Sequence, residues 1–584
     1  MKFLHVAWFS LITCGVIAEQ SAQVTMTLAP ASTIIGTSRA NIDGVELFNG
    51  IPYAQPPLGQ LRLKPPQRSN GPFGTLDATK IAPTCPQFRG APPAFSDAFT
   101  QLISSSINTT FFQTSLPSSE DCLTLNIVRP AGTNSDAKLP VLLWIHGGGF
   151  QVSVSFSTPI HPVTDRQIQV GSATQYDGSF VVNSSVTAHK PVIYVAINYR
   201  LAGYGFLGGK DILADGSANI GLRDQRMALE WVADNIASFG GDPNKVNIWG
   251  ESAGSLSVFN QLGLYGGNHT YNGKPLFRGA IMNSGSLFRA DPIDCPKAQT
   301  VYDTVVKNAG CSSANDTLAC LRNVDYGTFE QATNSVPGFI SYNSIALSYL
   351  PRPDGEVLND SAEVIVQSGN YAAVPLIIGG QEDEGTLFSF AQSNLSDTSA
   401  IVEYLSSLYF HGATKHQLKA LVETYNESIP AGSPYGAGFT GEVYPGFKRL
   451  SSLLGDIGFT LARRSMLYHA SKANPTVPIW SYEASYDRDT PVLGTFHGSD
   501  LLPVFFSGPQ SFASQSLFHY YFNFAYSLDP NDSSNKRDQY PHWPKWSDKK
   551  QLLHLFRDNS SLLTDDFRWE SYTWMMANEK LLRF

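Results

Sequence analysis

A serine enclosed by two glycines is the first feature of this sequence that could carry out chemistry. The run Gly250-Glu251-Ser252-Ala253-Gly254 follows residues 246–249, in which apolar and polar residues alternate. It precedes small residues that are compatible with a helix. Strand, sharp turn and helix in this order are typical of a nucleophile elbow, in which the serine lies at the tip of a strained turn. Glycines two positions before and after the serine let helix and strand pass closely, because they carry no side chain. The pattern predicts that Ser252 is a nucleophile.

A serine hydroxyl attacks a carbonyl group only when a base takes its proton, so a histidine is expected elsewhere in the chain. His497 follows the apolar run 477–482 and lies between Gly494 and Gly498, which is a suitable place for such a base. A loop histidine is by itself most often an ordinary surface residue. His146 is the competing histidine, but it directly precedes three glycines that predict another task.

The acid that should orient the histidine is the least determined member of the site. Glu382, Asp383 and Glu384 stand together after the apolar run 374–378. A cluster of this kind is usually a solvated loop, and the residues alone do not select one of the three. Asp456 is a weaker alternative.

Three consecutive glycines could bind the negative charge that develops when a serine attacks an ester. Gly147, Gly148 and Gly149 follow the apolar run 139–145. Because they have no Cβ, their backbone N–H groups can point toward an oxyanion. Free N–H groups are also expected at the start of the helix after Ser252. The alternative interpretation of the three glycines is a merely flexible turn.

These residues are far apart in the chain, and the apolar pattern predicts a scaffold that brings them together. Short apolar runs bounded by Gly and Pro alternate with helical patterns such as residues 222–239. The runs are residues 139–145, 192–197, 246–249, 280–282, 374–378 and 477–482. They are typical of an α/β fold with a buried, mostly parallel sheet and crossover helices on both faces. Residues 286–370 and 395–475 are expected to be helical or irregular insertions.

Composition and the amino terminus indicate an exported protein. The chain has 584 residues and a formal net charge of −9 without a basic tract, so nucleic-acid binding has no electrostatic support. Residues 1–18 combine an early lysine, an apolar run and a Val16-x-Ala18 ending, which predicts a secretory signal peptide. The sequence has no later apolar run of transmembrane length, so a soluble extracellular protein is expected.

Glycosylation sequons and cysteines agree with export. The N-x-S/T sequons, each a potential glycan site, begin at Asn108, Asn183, Asn268, Asn315, Asn359, Asn394, Asn426, Asn531 and Asn559. Outside the predicted signal peptide the cysteines are Cys85, Cys122, Cys295, Cys311 and Cys320. Their odd number predicts at least one unpaired thiol.

Several motifs in register carry a family resemblance. They are Ser119-Glu120-Asp121-Cys122-Leu123-Thr124-Leu125-Asn126-Ile127, His146-Gly147-Gly148-Gly149-Phe150, Asn198-Tyr199-Arg200 and the elbow at 250–254. In this order they resemble the type-B carboxylesterases, the cholinesterase and lipase family of α/β-hydrolases. Gly494-Thr495-Phe496-His497 and residues 447–464 look most similar to fungal lipases of the Candida rugosa and Geotrichum type. The resemblance covers nearly the whole chain after the signal peptide.

The resemblance implies the α/β-hydrolase fold, as one domain over residues 19–584 with long helical insertions. It selects Glu384 as the acid, which completes a set of Ser252, Glu384 and His497 in the order of the α/β-hydrolases. The oxyanion hole that it implies consists of the N–H groups of Gly148, Gly149 and Ala253. The disulfides that it implies are Cys85–Cys122 and Cys311–Cys320, which leaves Cys295 free.

Residues 85–122 correspond to the lid of the lipases that the chain resembles. Independently of the resemblance, this segment has apolar residues at helical spacing, which predict an amphipathic helix that must bury one face. They are Phe95, Phe99, Leu102, Ile103 and Ile107. Such a helix could cover an apolar acyl site when closed and meet lipid when open. The competing interpretation is a helix that simply belongs to the core.

The sequence therefore predicts a secreted serine hydrolase that cleaves esters with a hydrophobic acyl chain through an acyl-enzyme, without a metal or organic cofactor. Its expected partners are a hydrophobic ester and a lipid interface. One alternative is a lidless esterase for sterol, feruloyl or small esters. Another is a non-catalytic binding protein of the same fold. The presence of Ser252, Glu384 and His497 disfavours this alternative.

Overall fold

The computed structural model describes residues 22–28, 31–38, 44–69, 72, 74–88, 117–151, 172–506, 511–531 and 540–584. The predicted signal peptide, residues 1–18, lies outside these ranges. The apolar residues assigned to the lid face lie outside them as well; these are Phe95, Phe99, Leu102, Ile103 and Ile107. The signal peptide and the lid helix therefore stay predictions.

A large sheet forms the centre of the described structure. Its thirteen strands among the described residues are β1 (Ala22–Leu28), β2 (Ser32–Ser38), β3 (Val45–Pro52), β4 (Thr75–Asp77), β5 (Thr124–Pro130), β6 (Leu139–Ile145), β7 (Ile193–Ile197), β8 (Gly241–Glu251), β11 (Gly279–Asn283), β12 (Leu376–Gln381), β13 (Ile479–Ala484), β14 (Gln551–Leu555) and β15 (Ser560–Thr564). Strands β9 (Thr270–Tyr271) and β10 (Lys274–Pro275) form a separate hairpin.

The strand order is β1-β2-β3-β5-β7-β6-β8-β11-β12-β13-β14-β15, with β4 paired to β2. In this spatial order, all neighbouring strands from β7 to β14 pair in parallel, which confirms the predicted parallel sheet. The two ends of the sheet are antiparallel, from β1 to the β5–β7 pair on one side and at β14–β15 on the other, except that β4 pairs in parallel with β2. Each of the six apolar runs of the sequence overlaps a strand of the parallel part.

Helices cover the sheet and build the insertions. They are α1 (Ser179–Thr187), α2 (Ala202–Gly205), α3 (Lys210–Ala214), α4 (Ile220–Asn235), α5 (Ala253–Gly267, with non-helical backbone at its last turn), α6 (Pro296–Asn308), α7 (Thr317–Asn323), α8 (Tyr326–Thr333), α9 (Ala362–Ser368), α10 (Thr398–Tyr404), α11 (Lys415–Glu423), α12 (Phe447–Gly455), α13 (Leu461–Ala473), α14 (Phe512–Ser527), α15 (Trp546–Lys549) and α16 (Trp569–Ala577). The predicted helix at 222–239 is α4 followed by the 3-10 turn Ile236–Phe239.

Both faces of the parallel strands are buried, which explains why their sequences are continuously apolar. In β6 the side chains of Val141, Leu143 and Ile145 belong to one core layer. Leu142 and Trp144 belong to the core on the other face of the sheet. Successive side chains of a strand point to opposite faces, so only a strand covered on both sides buries all of them.

Two parts of the sheet have no counterpart in the strand pattern of the sequence. Strand β5 lies within a motif that the sequence marks only by resemblance, and β14 and β15 are short with few β-branched residues.

Among the residues that the structure describes, no helix has the length and apolar character needed to cross a membrane.

Candidate active site

Ser252 lies at the carboxyl end of β8, where the chain turns sharply into α5. Its backbone has φ 56° and ψ −125°, an unusual conformation for a residue with a side chain. A Cβ added to Gly250 would lie 2.4 Å from the backbone of Gly254, and one on Gly254 would lie 2.0 Å from the carbonyl oxygen of Ile145. Both glycines are therefore required by close backbone approach, as the sequence predicts. The Ser252 N–H donates to the carbonyl oxygen of Asn283, the last residue of β11, at 2.9 Å.

The structure brings Ser252, His497 and Glu384 together in a hydrogen-bonded row. His497 Nε2 is 2.8 Å from Ser252 Oγ, and His497 Nδ1 is 2.6 Å from Glu384 Oε2. The second carboxylate oxygen of Glu384 accepts the N–H of Gln381 at 2.7 Å. Ser252 follows β8, Glu384 follows β12 and His497 follows β13, and parallel strands place the loops after their carboxyl ends on one edge of the sheet.

His497 is almost fully buried, at 7% exposure, and its surroundings favour the protonated ring. Burial alone would lower its pKa, but the charge and hydrogen bond of Glu384 and the charges of Glu251 and Asp500 raise the pKa above the usual value. The rings of Phe388 and Phe459 pack against the imidazole, with centroids 5.0 and 4.5 Å away. A base with a raised pKa and restricted motion suits transfer of a proton from a serine.

Glu251, the residue before the nucleophile, contributes a second carboxylate to the site. Its Oε1 atom is 3.5 Å from His497 Nε2. Burial raises the pKa of Glu251 to about 8, an effect that the charge of His497 opposes and the charges of Asp500 and Glu384 reinforce. The sequence gives Glu251 only a place in the motif, because nothing in the local pattern shows that its carboxylate points toward the histidine.

The other candidate acids have different partners. Glu382 lies beside Arg488, and Asp383 accepts hydrogen bonds from Ser433, Tyr435 and Thr495. Asp456 is paired with Arg568 and also accepts the hydroxyl of Tyr425. Only Glu384, among the candidates for the acid, contacts His497.

His146 does not compete with His497 as a base for Ser252. Its Nδ1 atom is 3.0 Å from the carbonyl oxygen of Gly147, and its ring stacks on Tyr199 at a centroid distance of 4.5 Å. Burial lowers the pKa of His146 to about 4, so the ring is neutral and part of the core.

The proposed oxyanion donors lie on two loops around Ser252. Gly148 and Gly149 have φ values of 105° and 59°, in the region that favours glycine. A Cβ on the neighbouring Gly147 would lie 2.9 Å from Ser252 Cβ, which places this loop directly beside the nucleophile. Within the described ranges, the N–H groups of Gly148, Gly149 and Ala253 donate to no other residue. They are thus available to an oxygen atom of a substrate.

Aromatic side chains line the space next to these donors. A Cβ on Gly149 would lie 3.3 Å from the ring of Phe339, so this ring lies against the glycine loop. The Phe339 centroid is 6.4 Å from that of Phe388, and Phe388 stacks on Phe459 at 5.5 Å. These three rings form an aromatic wall that extends from the glycine loop to His497. The sequence does not reveal it, because the three rings come from segments that are far apart in the chain.

The structure forms both disulfides that the resemblance implies, Cys85–Cys122 and Cys311–Cys320, and leaves Cys295 as a free thiol. The first closes residues 85–122 into a loop. In the part of the chain that the structure describes, no cluster of three His, Cys, Asp or Glu side chains is arranged to hold a metal ion.

Comparisons with known proteins identify the family of the chain. A secreted triacylglycerol lipase of Gibberella zeae is 51% identical over 564 residues, which cover 96% of this chain and 91% of that protein. Lipase 2 of Diutina rugosa is 41% identical over 567 residues, covering 96% and 97% of the two chains. The crystal structure of EstA from Aspergillus niger is similar with a TM-score of 0.75 and 25% identity, covering 96% of this chain and 99% of that one. The sequence model of the carboxylesterase family matches residues 20–572, and the chain belongs to this family of carboxylic ester hydrolases.

Proposed function

We propose that the protein is a secreted lipase that hydrolyses esters of hydrophobic carboxylic acids through an acyl-enzyme on Ser252. The observation that carries this proposal is the hydrogen-bonded row in which His497 lies 2.8 Å from Ser252 Oγ and 2.6 Å from Glu384. A histidine between a serine and a carboxylate is the arrangement that activates a serine for acyl transfer.

In the first half of the proposed reaction, Ser252 Oγ attacks the ester carbonyl carbon while His497 Nε2 takes the serine proton. Glu384 stabilises the resulting imidazolium through Nδ1. The carbonyl oxygen, now negatively charged, accepts hydrogen bonds from the N–H groups of Gly148, Gly149 and Ala253. The tetrahedral intermediate then releases the alcohol, which takes the proton from His497, and the acyl group remains on Ser252.

In the second half, water attacks the acyl carbon and gives a proton to His497 Nε2. The same N–H groups hold the second oxyanion, and its collapse releases the carboxylic acid. The proton on Nε2 returns to Ser252 Oγ, so the enzyme is regenerated. Every step uses groups of this chain and the two substrates, ester and water.

The aromatic wall of Phe339, Phe388 and Phe459 supports a hydrophobic acyl group. Its rings contact the glycine loop at one end and His497 at the other, so an acyl chain bound to Ser252 can pack against them, and burial of apolar chain is favourable. Relatives that are named lipases, among them two secreted ones at 51% identity, support the same substrate class and export from the cell. A movable lid at residues 85–122, joined at its ends by Cys85–Cys122, is part of this proposal.

A series of p-nitrophenyl esters from butyrate to palmitate, compared with emulsified triolein, tests the substrate class. We expect kcat/KM to rise with chain length, hydrolysis of triolein, and a rate that increases once the substrate exceeds its solubility. The Ser252→Ala variant, folded by circular dichroism, is the matched control and should hydrolyse none of them. Activity confined to short soluble esters would replace the lipase by a small-ester esterase, and undiminished activity of S252A would refute the mechanism.

A further inference from the structure

Asp383, the neighbour of the proposed acid, binds three separate donors although it has no place in the reaction. It is 1% exposed. Its Oδ1 atom accepts the hydroxyl of Ser433 at 2.7 Å and the N–H of Tyr435 at 2.9 Å. Its Oδ2 atom accepts the N–H of Thr495 at 3.0 Å. One carboxylate thus joins the loop of Glu384 to the loop of His497 and to residues 433–435.

Additional contacts tie the same two loops together. The Asp383 N–H donates to the carbonyl oxygen of Thr495 at 3.0 Å, and the Thr386 hydroxyl donates to the carbonyl oxygen of Leu493 at 2.8 Å. Gly494 has φ 61°, and a Cβ there would lie 2.1 Å from Asp383 Oδ2. The backbone that leads to His497 is therefore shaped around this carboxylate.

We propose that Asp383 is a positioning residue that fixes the separation between Glu384 and His497. Asp383 precedes Glu384 directly, and Thr495 lies two positions before His497, so their hydrogen bonds set how the two loops are placed. This inference rests on the proposed function, because it concerns how the 2.6 Å contact between Glu384 and His497 is maintained. Small displacements of such a contact lower the rate strongly, by up to about 100-fold for about 1 Å.

The charges around Asp383 are compatible with this role. Burial and the charge of Glu382 raise the pKa of Asp383 to about 7, while the hydrogen bonds from Ser433, Tyr435 and Thr495 oppose this rise. Burial lowers the pKa of Lys448 and raises that of Tyr435, and the charge of Asp383 adds a smaller upward effect to both. Two of its three partners are backbone N–H groups, which can only donate hydrogen bonds, so the ionised carboxylate of Asp383 can accept from both. In an asparagine, an NH2 group in place of Oδ2 would be a second donor facing the N–H of Thr495.

The Asp383→Asn variant tests the proposal, with Asp456→Asn as a matched control. Asp456 is equally buried and paired with Arg568, but it contacts neither Glu384 nor His497 by a hydrogen bond. For D383N we expect kcat to fall about 10- to 100-fold with KM nearly unchanged. For D456N we expect a lower Tm and an unchanged kcat per folded molecule, counted by titration with a phosphonate.

The pH profile of kcat/KM separates positioning from stability. Glu384 raises the pKa of His497, so a longer contact should let that pKa fall and extend the activity of D383N to lower pH. Loss of folded protein would instead lower the rate by the same factor at every pH. It would not move the acid limb, the low-pH side of the profile on which the rate falls. An unmoved acid limb in D383N would overturn the proposal, as would a limb moved equally in D456N.

The Thr386→Val variant decides the matter if D383N does not fold. It removes the hydroxyl that donates to the carbonyl oxygens of Leu493 and Asp383, and we expect the same downward shift of the acid limb with a smaller loss of kcat. An unshifted limb in T386V would then overturn the proposal. Failure of the proposed function would be recognised separately, because the S252A variant would then retain activity.

Discussion

Glu251 Oε1 lies 3.5 Å from the same nitrogen of His497 that faces Ser252 Oγ at 2.8 Å. The imidazole is therefore placed between two carboxylates, Glu384 on Nδ1 and Glu251 beside Nε2. Burial raises the pKa of Glu251 to about 8. The folded chain therefore retains a proton on Glu251 at a higher pH than an exposed glutamate would, and the negative charge of the site increases as that proton is lost.

This raised pKa predicts a stability that depends on pH. The ordinary pKa is 4.5, and the folded value is about 8, so the unfolded chain releases this proton first. The contribution of Glu251 to stability is complete below about pH 4.5 and is lost as the pH rises to about 8. In Glu251→Gln no proton is released there. Between pH 5 and 8.5, we therefore expect the apparent Tm of E251Q to decrease less than that of the parent chain.

Differential scanning calorimetry at one scan rate measures this difference, and Glu423→Gln is a suitable control. Glu423 is exposed and pairs with Lys419 on the same helix, so E423Q should follow the parent chain at every pH. Parallel Tm curves for E251Q and the parent would show that the carboxyl is ionised at neutral pH.

Glu384→Gln should keep the fold and lose most of the activity. The amide of the glutamine can donate to His497 Nδ1, and the hydrogen of the neutral imidazole would then be on Nε2. A protonated Nε2 cannot accept the proton of Ser252. We expect kcat to fall by roughly a thousand- to ten-thousand-fold, as measured in steady-state hydrolysis of p-nitrophenyl esters. Glu382→Gln changes an acid two positions away that lies beside Arg488, and it should retain kcat. Equal losses in the two variants would argue against Glu384 as the acid.

Gly149→Ala should damage the proposed oxyanion hole. A Cβ there meets the ring of Phe339 at 3.3 Å, and φ 59° is unfavourable for alanine, so the N–H group should be displaced. Loss of one such donor lowers kcat by about 100- to 1000-fold. The comparison is Gly132→Ala, which has φ 74° with nothing within 4 Å of the added Cβ.

In G132A the same backbone strain occurs at a position where the added Cβ meets no other atom within 4 Å, so a modest decrease in Tm without loss of kcat is expected. Steady-state kinetics and thermal unfolding of both variants make the comparison. If G149A kept the kcat of the parent chain, its N–H group would have no part in stabilising the oxyanion.

The sequence predicts the parts of the fold that depend on local pattern. The elbow at Ser252 is recognisable because its close backbone approach demands Gly250 and Gly254 at fixed spacing. The parallel strands are recognisable because burial on both faces makes them continuously apolar. Strands β14 and β15 are not, since five residues of mixed polarity carry too little periodicity.

The acid shows where local pattern ends. Glu382, Asp383 and Glu384 are adjacent and chemically similar, yet they reach Arg488, Thr495 and His497 respectively. Arg488, Thr495 and His497 each lie more than a hundred residues further along the chain, so only tertiary packing distinguishes the three acids. The family resemblance selects Glu384, whereas the contacts of Asp383 and Glu251 follow from the folded arrangement alone.

Intact-mass analysis after exposure to a p-nitrophenyl phosphonate tests the nucleophile most directly. The reagent transfers its phosphonyl group to an activated serine with release of p-nitrophenol. We expect one phosphonyl group per molecule, mapped by peptide sequencing to Ser252, with loss of esterase activity in proportion to labelling and no label on S252A. A label on another residue, or equal labelling of S252A, would contradict the assignment of Ser252 as the nucleophile.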